Sequence, residues 1–135
     1  MATTGFDLVT PSATLYAGQA EMIVCKTVEG EIAFLADHEA FIGALDPCVV
    51  RIVNPADAEG TEIAIAVHGG FVEVKDNHVI MLADIAERPD EIDGGVAERE
   101  VGEAQAKVDA AGSDGDRYAE TELKWAQVRV EAAAL

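Results

Sequence analysis

Hydrophobic and polar positions follow two rhythms along the chain, and the change falls near Pro89. Before it, apolar residues come in short alternating or continuous runs cut by turn residues. Phe6-Asp7-Leu8-Val9 alternates and stops at Thr10-Pro11, and the run from Ala20 to Val28 stops at Glu29-Gly30. Glu31 to Leu35 is short, Val49 to Val53 ends at Asn54-Pro55, and Glu62 to His68 runs into Gly69-Gly70. Phe71 to Lys75 meets His78 to Ala83 across Asp76-Asn77. A two-residue Asp/Asn link between β-branched runs predicts a hairpin, although glycine is missing from its second place. Short strands separated by turn residues about every eight to twelve positions predict a sandwich or barrel.

After Pro89 the spacing becomes helical. Ala97, Val101, Ala104, Val108 and Ala111 step by four, three, four, three, and Ala119, Leu123, Ala126, Val130 and Ala133 repeat the steps. Each set is an apolar stripe on one side of a helix. Between them, Gly112-Ser113-Asp114-Gly115-Asp116 offers Gly112 as a left-handed cap and Asp114 or Asp116 as an N-cap. The pattern predicts an αα-hairpin over 88–135 behind a β domain over 1–87. The stripes are rich in alanine, and at roughly 0.8 kcal/mol per buried methylene such a seam holds less firmly than a leucine seam. Lone Trp125 points off the seam, either to the edge of the hairpin core or out as an anchor for a partner.

Charge narrows the function. The chain has 135 residues, 26 acidic and 9 basic side chains, and a net charge of -17. Nucleic-acid binding rests on lysine and arginine, so that class is excluded, as is docking on anionic lipid. No stretch reaches the roughly 18 apolar residues of a membrane span. The opening residues lack the basic and apolar regions of a signal peptide, so a soluble cytoplasmic protein without direct lipid insertion is expected. Residues 1–87 hold 14 acidic and 3 basic side chains, against 12 and 6 in 88–135, so the tail is the more mixed in sign.

Candidate chemistry is sparse. His38, His68 and His78 lie in separate segments, without metal-pair spacing and without a Cys-x-x-Cys. Asp37-His38-Glu39 has no accompanying nucleophile motif. Cys25 lies in an apolar run and is expected to be inert, whereas Cys48, after Asp46-Pro47 in a turn, is expected to be more exposed. No glycine-rich strand-to-helix loop is present to cradle phosphates. The residues predict no catalytic site, no cofactor and no metal. On pattern alone the chain is a β domain with a helical hairpin, of a binding or structural kind.

Particular residues carry a resemblance. Val9-Thr10-Pro11 with Leu15-Tyr16-Ala17-Gly18, Glu29-Gly30-Glu31-Ile32, His38, and Ala44-Leu45-Asp46-Pro47 occur in order. Val67-His68-Gly69-Gly70-Phe71-Val72-Glu73-Val74 follows, then Asn77-His78-Val79, Leu82-Ala83-Asp84, Ala86-Glu87 and Glu91-Ile92-Asp93. Over nearly the whole chain this resembles the epsilon subunit of bacterial F-type ATP synthases. The resemblance implies an α+β fold in two parts, an antiparallel N-terminal β-sandwich of about ten strands and a C-terminal αα-hairpin. It implies a non-catalytic central-stalk subunit at the cytoplasmic face of the cell membrane. That subunit couples ion-driven, typically hydrogen-ion, rotation of the membrane ring to ATP synthesis. Its partners would be the gamma subunit in a one-to-one complex, the rotor ring subunits, and the alpha/beta catalytic head. Glu31, Asp37 and His38 match the ring-facing end. Arg117, Lys124 and Arg129 are the candidate contacts to the head, with weak inhibition of ATP hydrolysis expected. The alternative is a stand-alone acidic β-sandwich binding module with a dimerisation hairpin.

The chain departs from that family's pattern in places. Ala33, Ala36 and Asp37 stand where glycine and proline are usual, and Cys48 replaces a glycine, which questions a left-handed turn there. Relatives that bind ATP on the hairpin carry three arginines. Here Val96 and Trp125 occupy two of those places, leaving Asp93 and Arg129 as remnants. Arginine is the residue suited to bidentate phosphate contact, so no ATP binding is expected.

Overall fold

In the computed structural model, which describes residues 2–135, nine strands form one continuous sheet folded into a sandwich, followed by two long helices. The strands are β1 (Thr4–Val9), β2 (Thr14–Thr27), β3 (Gly30–Leu35), β4 (Phe41–Leu45), β5 (Cys48–Pro55), β6 (Glu62–Val67), β7 (Gly70–Lys75), β8 (His78–Ala83) and β9 (Ala86–Glu87). The helices are α1 (Gly94–Ala110) and α2 (Arg117–Ala133), and a single 3-10 turn at Pro89–Glu91 leads into them. This is the sandwich-plus-hairpin expected from the sequence, with nine strands where about ten were expected.

The long β2 joins the two layers. Its first half pairs with β1 (Leu8 opposite Tyr16), and its second half pairs with β3 and β5 (Ile23 opposite Phe34 and Ile52). One layer is β1-β8-β7-β4 and the other is β3-β2-β5-β6-β9. All pairings are antiparallel except β1 with β8, which run the same way because the first strand enters between β2 and the last full strand. Strand alternation sends one set of side chains inward. Phe6, Leu8, Ile23, Phe34, Val50, Ile52, Val79 and Met81 are fully buried between the layers. Each such side chain stabilises the fold by about 1.5–3 kcal/mol.

The β7–β8 link is a two-residue hairpin, with Lys75 opposite His78. Asp76 and Asn77 have φ of 52° and 57°. Both central residues are left-handed, as a type I′ turn requires, and Asp and Asn reach that region without glycine. Asp93 caps α1, its carboxylate accepting from the Val96 N–H at 3.1 Å. Gly112, with φ 68°, ends that helix. Asp116 caps α2 by accepting from the Tyr118 and Ala119 N–H groups.

The hairpin lies on the outer face of the β5–β6 layer. Ala66, Ile92, Ala97, Trp125, Val128 and Ala132 form a second buried cluster there, with Val49 against it. Trp125 is thus neither at a hairpin edge nor exposed. It is 9% exposed, in the joint between hairpin and sandwich, because it lies off the α1–α2 seam on the side of α2 that meets β6. Cys48 also departs from expectation. It opens β5, is buried, and is not left-handed. Its side chain alternates inward with Val50 and Ile52.

Candidate functional site

The same alternation that fills the core leaves an unusual outer face on the other layer. In β7, Val72 and Val74 point inward and Phe71 points out; in β8, Val79 and Met81 point inward and Ile80 and Leu82 point out. Registration across the strands places Ala44, Phe71, Leu82 and Val9 in one row. Ile42, Glu73, Ile80 and Asp7 form the next row. Ile42 is 71% exposed, Phe71 60% and Leu82 57%. Isolated exposed apolar residues are ordinary, but a contiguous set across neighbouring strands marks a surface that another molecule covers. A shallow groove of about 420 Å³ between the β1 end and Phe71–Leu82 continues the patch. Toward the other end of β8, His78 Nε2 lies 2.6 Å from Asp7 Oδ2.

The opposite layer is covered by the hairpin, and ion pairs border the contact. Arg129, 14% exposed, reaches Glu87 at the end of the strands (Nε to Oε1, 2.8 Å) and Glu100 on α1 (Nη1 to Oε2, 2.7 Å). It therefore ties the sandwich, α1 and α2 together. Burial works against its charge, but the two carboxylates outweigh that and raise its pKa. Lys124 pairs with Asp46 at 3.3 Å. His68, between β6 and β7, lies 2.9 Å from Asp84 and 4.0 Å from Glu122 of α2. Burial pulls the Asp84 carboxyl upward, yet the hydrogen bonds from His68 and from the Ile85 N–H leave it below the usual carboxylate range.

The structure separates residues that the resemblance grouped. Glu31 is in β3 opposite Lys26, beside the β2–β3 turn, and lines a cleft under α2 with Lys124 and Glu131. Asp37 and His38 lie past the other end of β3, about 20 Å along the strand direction at about 3.3 Å per residue. His38 packs edge-on to Phe34 at 5.0 Å and perpendicular to Phe41 at 6.5 Å. Asp37 has φ 60°, the conformation that glycine adopts most easily. Its N–H donates to Asn77 Oδ1 at 2.8 Å. Of the three candidate head contacts, Lys124 and Arg129 are already held within the chain, and Arg117 lies by the β2–β3 turn. Asp93 serves as a helix cap.

Chemistry of other kinds finds little footing. Burial pushes the Cys25 thiol up to about 12 and the Cys48 thiol up to about 11, so both are protonated and weak nucleophiles at neutral pH. Among the described residues no group of three or more His, Cys, Asp or Glu side chains is placed to hold a metal. What the molecule presents is an exposed apolar face on β4, β7 and β8. Ile42, Phe71, Ile80 and Leu82 were not singled out from the sequence. The available signal was the run Val79-Ile80-Met81-Leu82, apolar on both faces where a half-solvated strand would alternate.

Comparison with known proteins fits this geometry. A family model described as ATP synthase, Delta/Epsilon chain, beta-sandwich domain matches residues 3–89. A protein of Shouchella clausii named ATP synthase epsilon chain is 38% identical over 133 residues, covering 98% of this chain and 96% of its own. One of the same name from Streptomyces avermitilis is 35% identical over 91% of this chain and 94% of its own. A chain in the cryo-EM structure of the Euglena gracilis mitochondrial ATP synthase OSCP/F1/c-ring assembly matches in fold. Its TM-score is 0.80 at 24% identity, over 100% of this chain and 83% of that one.

Proposed function

The chain belongs to the ATP synthase epsilon-chain family, and from that premise we propose that it is a rotor subunit of the central stalk, bound to the gamma subunit through the outer face of β4, β7 and β8. It is an accessory subunit and not a catalytic one. The observation that carries the proposal is the exposed row Phe71–Leu82 with Ile42 beside it, on a chain whose net charge is -17. Stable interfaces have a desolvated core depleted in charge, and this is the face of the sandwich that meets that description. Bound there, the sandwich turns with the shaft and passes rotation of an ion-driven membrane ring to ATP synthesis. It works peripherally, at the cytoplasmic face of the cell membrane. No helix among the described residues is long and apolar enough to cross a membrane.

Glu31 and the Asp37–His38 pair lie toward opposite ends of β3, and the ring contact is proposed at the Glu31 end. The end that carries Glu31 also carries Val28, 67% exposed at the β2–β3 turn, and this end is assigned to the ring. His38 stabilises its loop by packing on Phe34 and Phe41. The reading is tested by capturing the chain from native membranes and identifying what comes with it. Gamma and ring subunits are expected. Capture of neither, with the chain folded, rejects the reading.

Inhibition of ATP hydrolysis through the hairpin is proposed to be weak. Lys124 and Arg129 already have partners in the docked hairpin, and gripping the catalytic head would mean breaking those pairs first. Arg129, largely buried between Glu87 and Glu100, would exchange carboxylates for carboxylates, and the exposed Lys124 pair contributes only about 0–1 kcal/mol, so the exchange yields little net attraction. Deleting residues 89–135 is expected to raise hydrolysis by the reconstituted catalytic complex less than about threefold, under roughly 0.7 kcal/mol. A rise of tenfold or more, reversed by restoring Lys124 and Arg129 but not their alanine versions, contradicts it. Arg129, the remaining arginine of the nucleotide pattern, is likewise committed to Glu87 and Glu100, which supports the expectation that the hairpin takes no ATP.

A further inference from the structure

We propose that His68 is a proton-operated latch: its ring, set between Asp84 of the sandwich and Glu122 of α2, fastens the hairpin when protonated and loosens it when neutral. The backbone places it there, since the His68 N–H donates to the Ile85 carbonyl at 2.9 Å. Nδ1 lies 2.9 Å from Asp84 Oδ2, and Nε2 lies 4.0 Å from Glu122 Oε1. The ring is also edge-on to Trp125, with centroids 5.4 Å apart and planes at 88°, so it sits at the hairpin–sandwich joint. A neutral imidazole has one N–H. If that hydrogen serves Asp84, the lone pair of Nε2 faces the Glu122 carboxylate, which repels it. Only the imidazolium gives both carboxylates a donor.

Other charges near the joint do not substitute for it. Arg129, 6.0 Å from the Trp125 ring centre, is held by Glu87 and Glu100, and Lys124 by Asp46. Those pairs contain no histidine, the side-chain type whose charge changes between about pH 5 and 8. They keep the hairpin in place across that range while the His68 contact comes and goes. Docking is therefore tightest when the ring carries both protons, one toward each carboxylate.

Amide hydrogen exchange of the full chain tests the latch, because protection reports the opening equilibrium even when the open form is scarce. Rates are divided by those of unstructured peptide at each pH, which removes the intrinsic pH dependence. Protection of the α2 amides should be about fivefold lower at pH 8.5 than at pH 5.5, close to 1 kcal/mol at about 1.4 kcal/mol per tenfold. β8 amides should not follow. In His68→Gln, and in Glu122→Gln, whose side chain lies on the accessible side of α2, the change should shrink below about twofold. The proposal is overturned if the wild-type chain shows no such drop or β8 shares it equally. It is also overturned if either folded variant keeps the full drop.

Discussion

Replacing both Phe71 and Leu82 with aspartate should weaken binding to the gamma subunit at least about 100-fold, roughly 2.7 kcal/mol. The two side chains are opposite one another on β7 and β8, and both project from the sheet. Their inward neighbours Val72 and Met81 are fully buried, so the substitution leaves the core untouched and the sandwich folded. In the complex, each carboxylate would have to leave water without a partner. The loss of apolar burial adds to that penalty, and substitutions at the centre of an interface commonly cost 2 kcal/mol or more. Titration of the purified gamma subunit with the wild-type chain and the double variant measures the ratio. Circular dichroism and thermal melting of the variant alone confirm that only binding has changed. A loss below about threefold would mean that the partner docks elsewhere.

The largest stability effect is expected at Gly70. Its φ is +127°, and a Cβ there would press into the Leu82 carbonyl and come within 2.9 Å of Ala83 Cα. Both neighbours are backbone of the paired strand β8 and cannot swing aside. Backbone strain of this kind costs about 1–3 kcal/mol by itself. With the clash added, Gly70→Ala is expected to destabilise the fold by about 3–4 kcal/mol, lowering Tm by about 10 °C. Gly112 supplies the contrast. It too is left-handed, at +68°, but nothing lies within 4 Å of its Cβ position. Gly112→Ala should cost only about 1–2 kcal/mol. Thermal unfolding of the two variants side by side separates crowding from dihedral strain, and equal losses would contradict the packing argument.

Much of the architecture was legible because local rules and global fold agree in this chain. The Asp76-Asn77 link, Gly112 and Asp116 each carry out the backbone task that their side-chain chemistry suggests. The change of period at Pro89 marks where strands give way to helices. What was not legible depends on which way a face is turned. Trp125 could be placed off the seam by counting, but not against β6, because the crossing of the hairpin over the sandwich is set by Ala66 and Ile92, distant in sequence. The resemblance put Glu31, Asp37 and His38 at one end, yet one strand holds them apart, since a strand extends where a loop would fold back. The binding face stayed hidden for a related reason. An apolar residue at an outward position of β7 or β8 looks the same in sequence as one in the core. Only the register across four strands shows that Ala44, Phe71, Leu82 and Val9 line up in the open.

The most direct test of the central claim is a photo-cross-linking residue at position 71 of the chain assembled in the intact synthase, with the attached partner identified by mass spectrometry. The outer face of β7 should attach to the gamma subunit, while the same probe at Tyr118, exposed on α2, should not. Attachment from position 71 to the catalytic head or the membrane ring, or none at all in an assembled complex, would contradict the account.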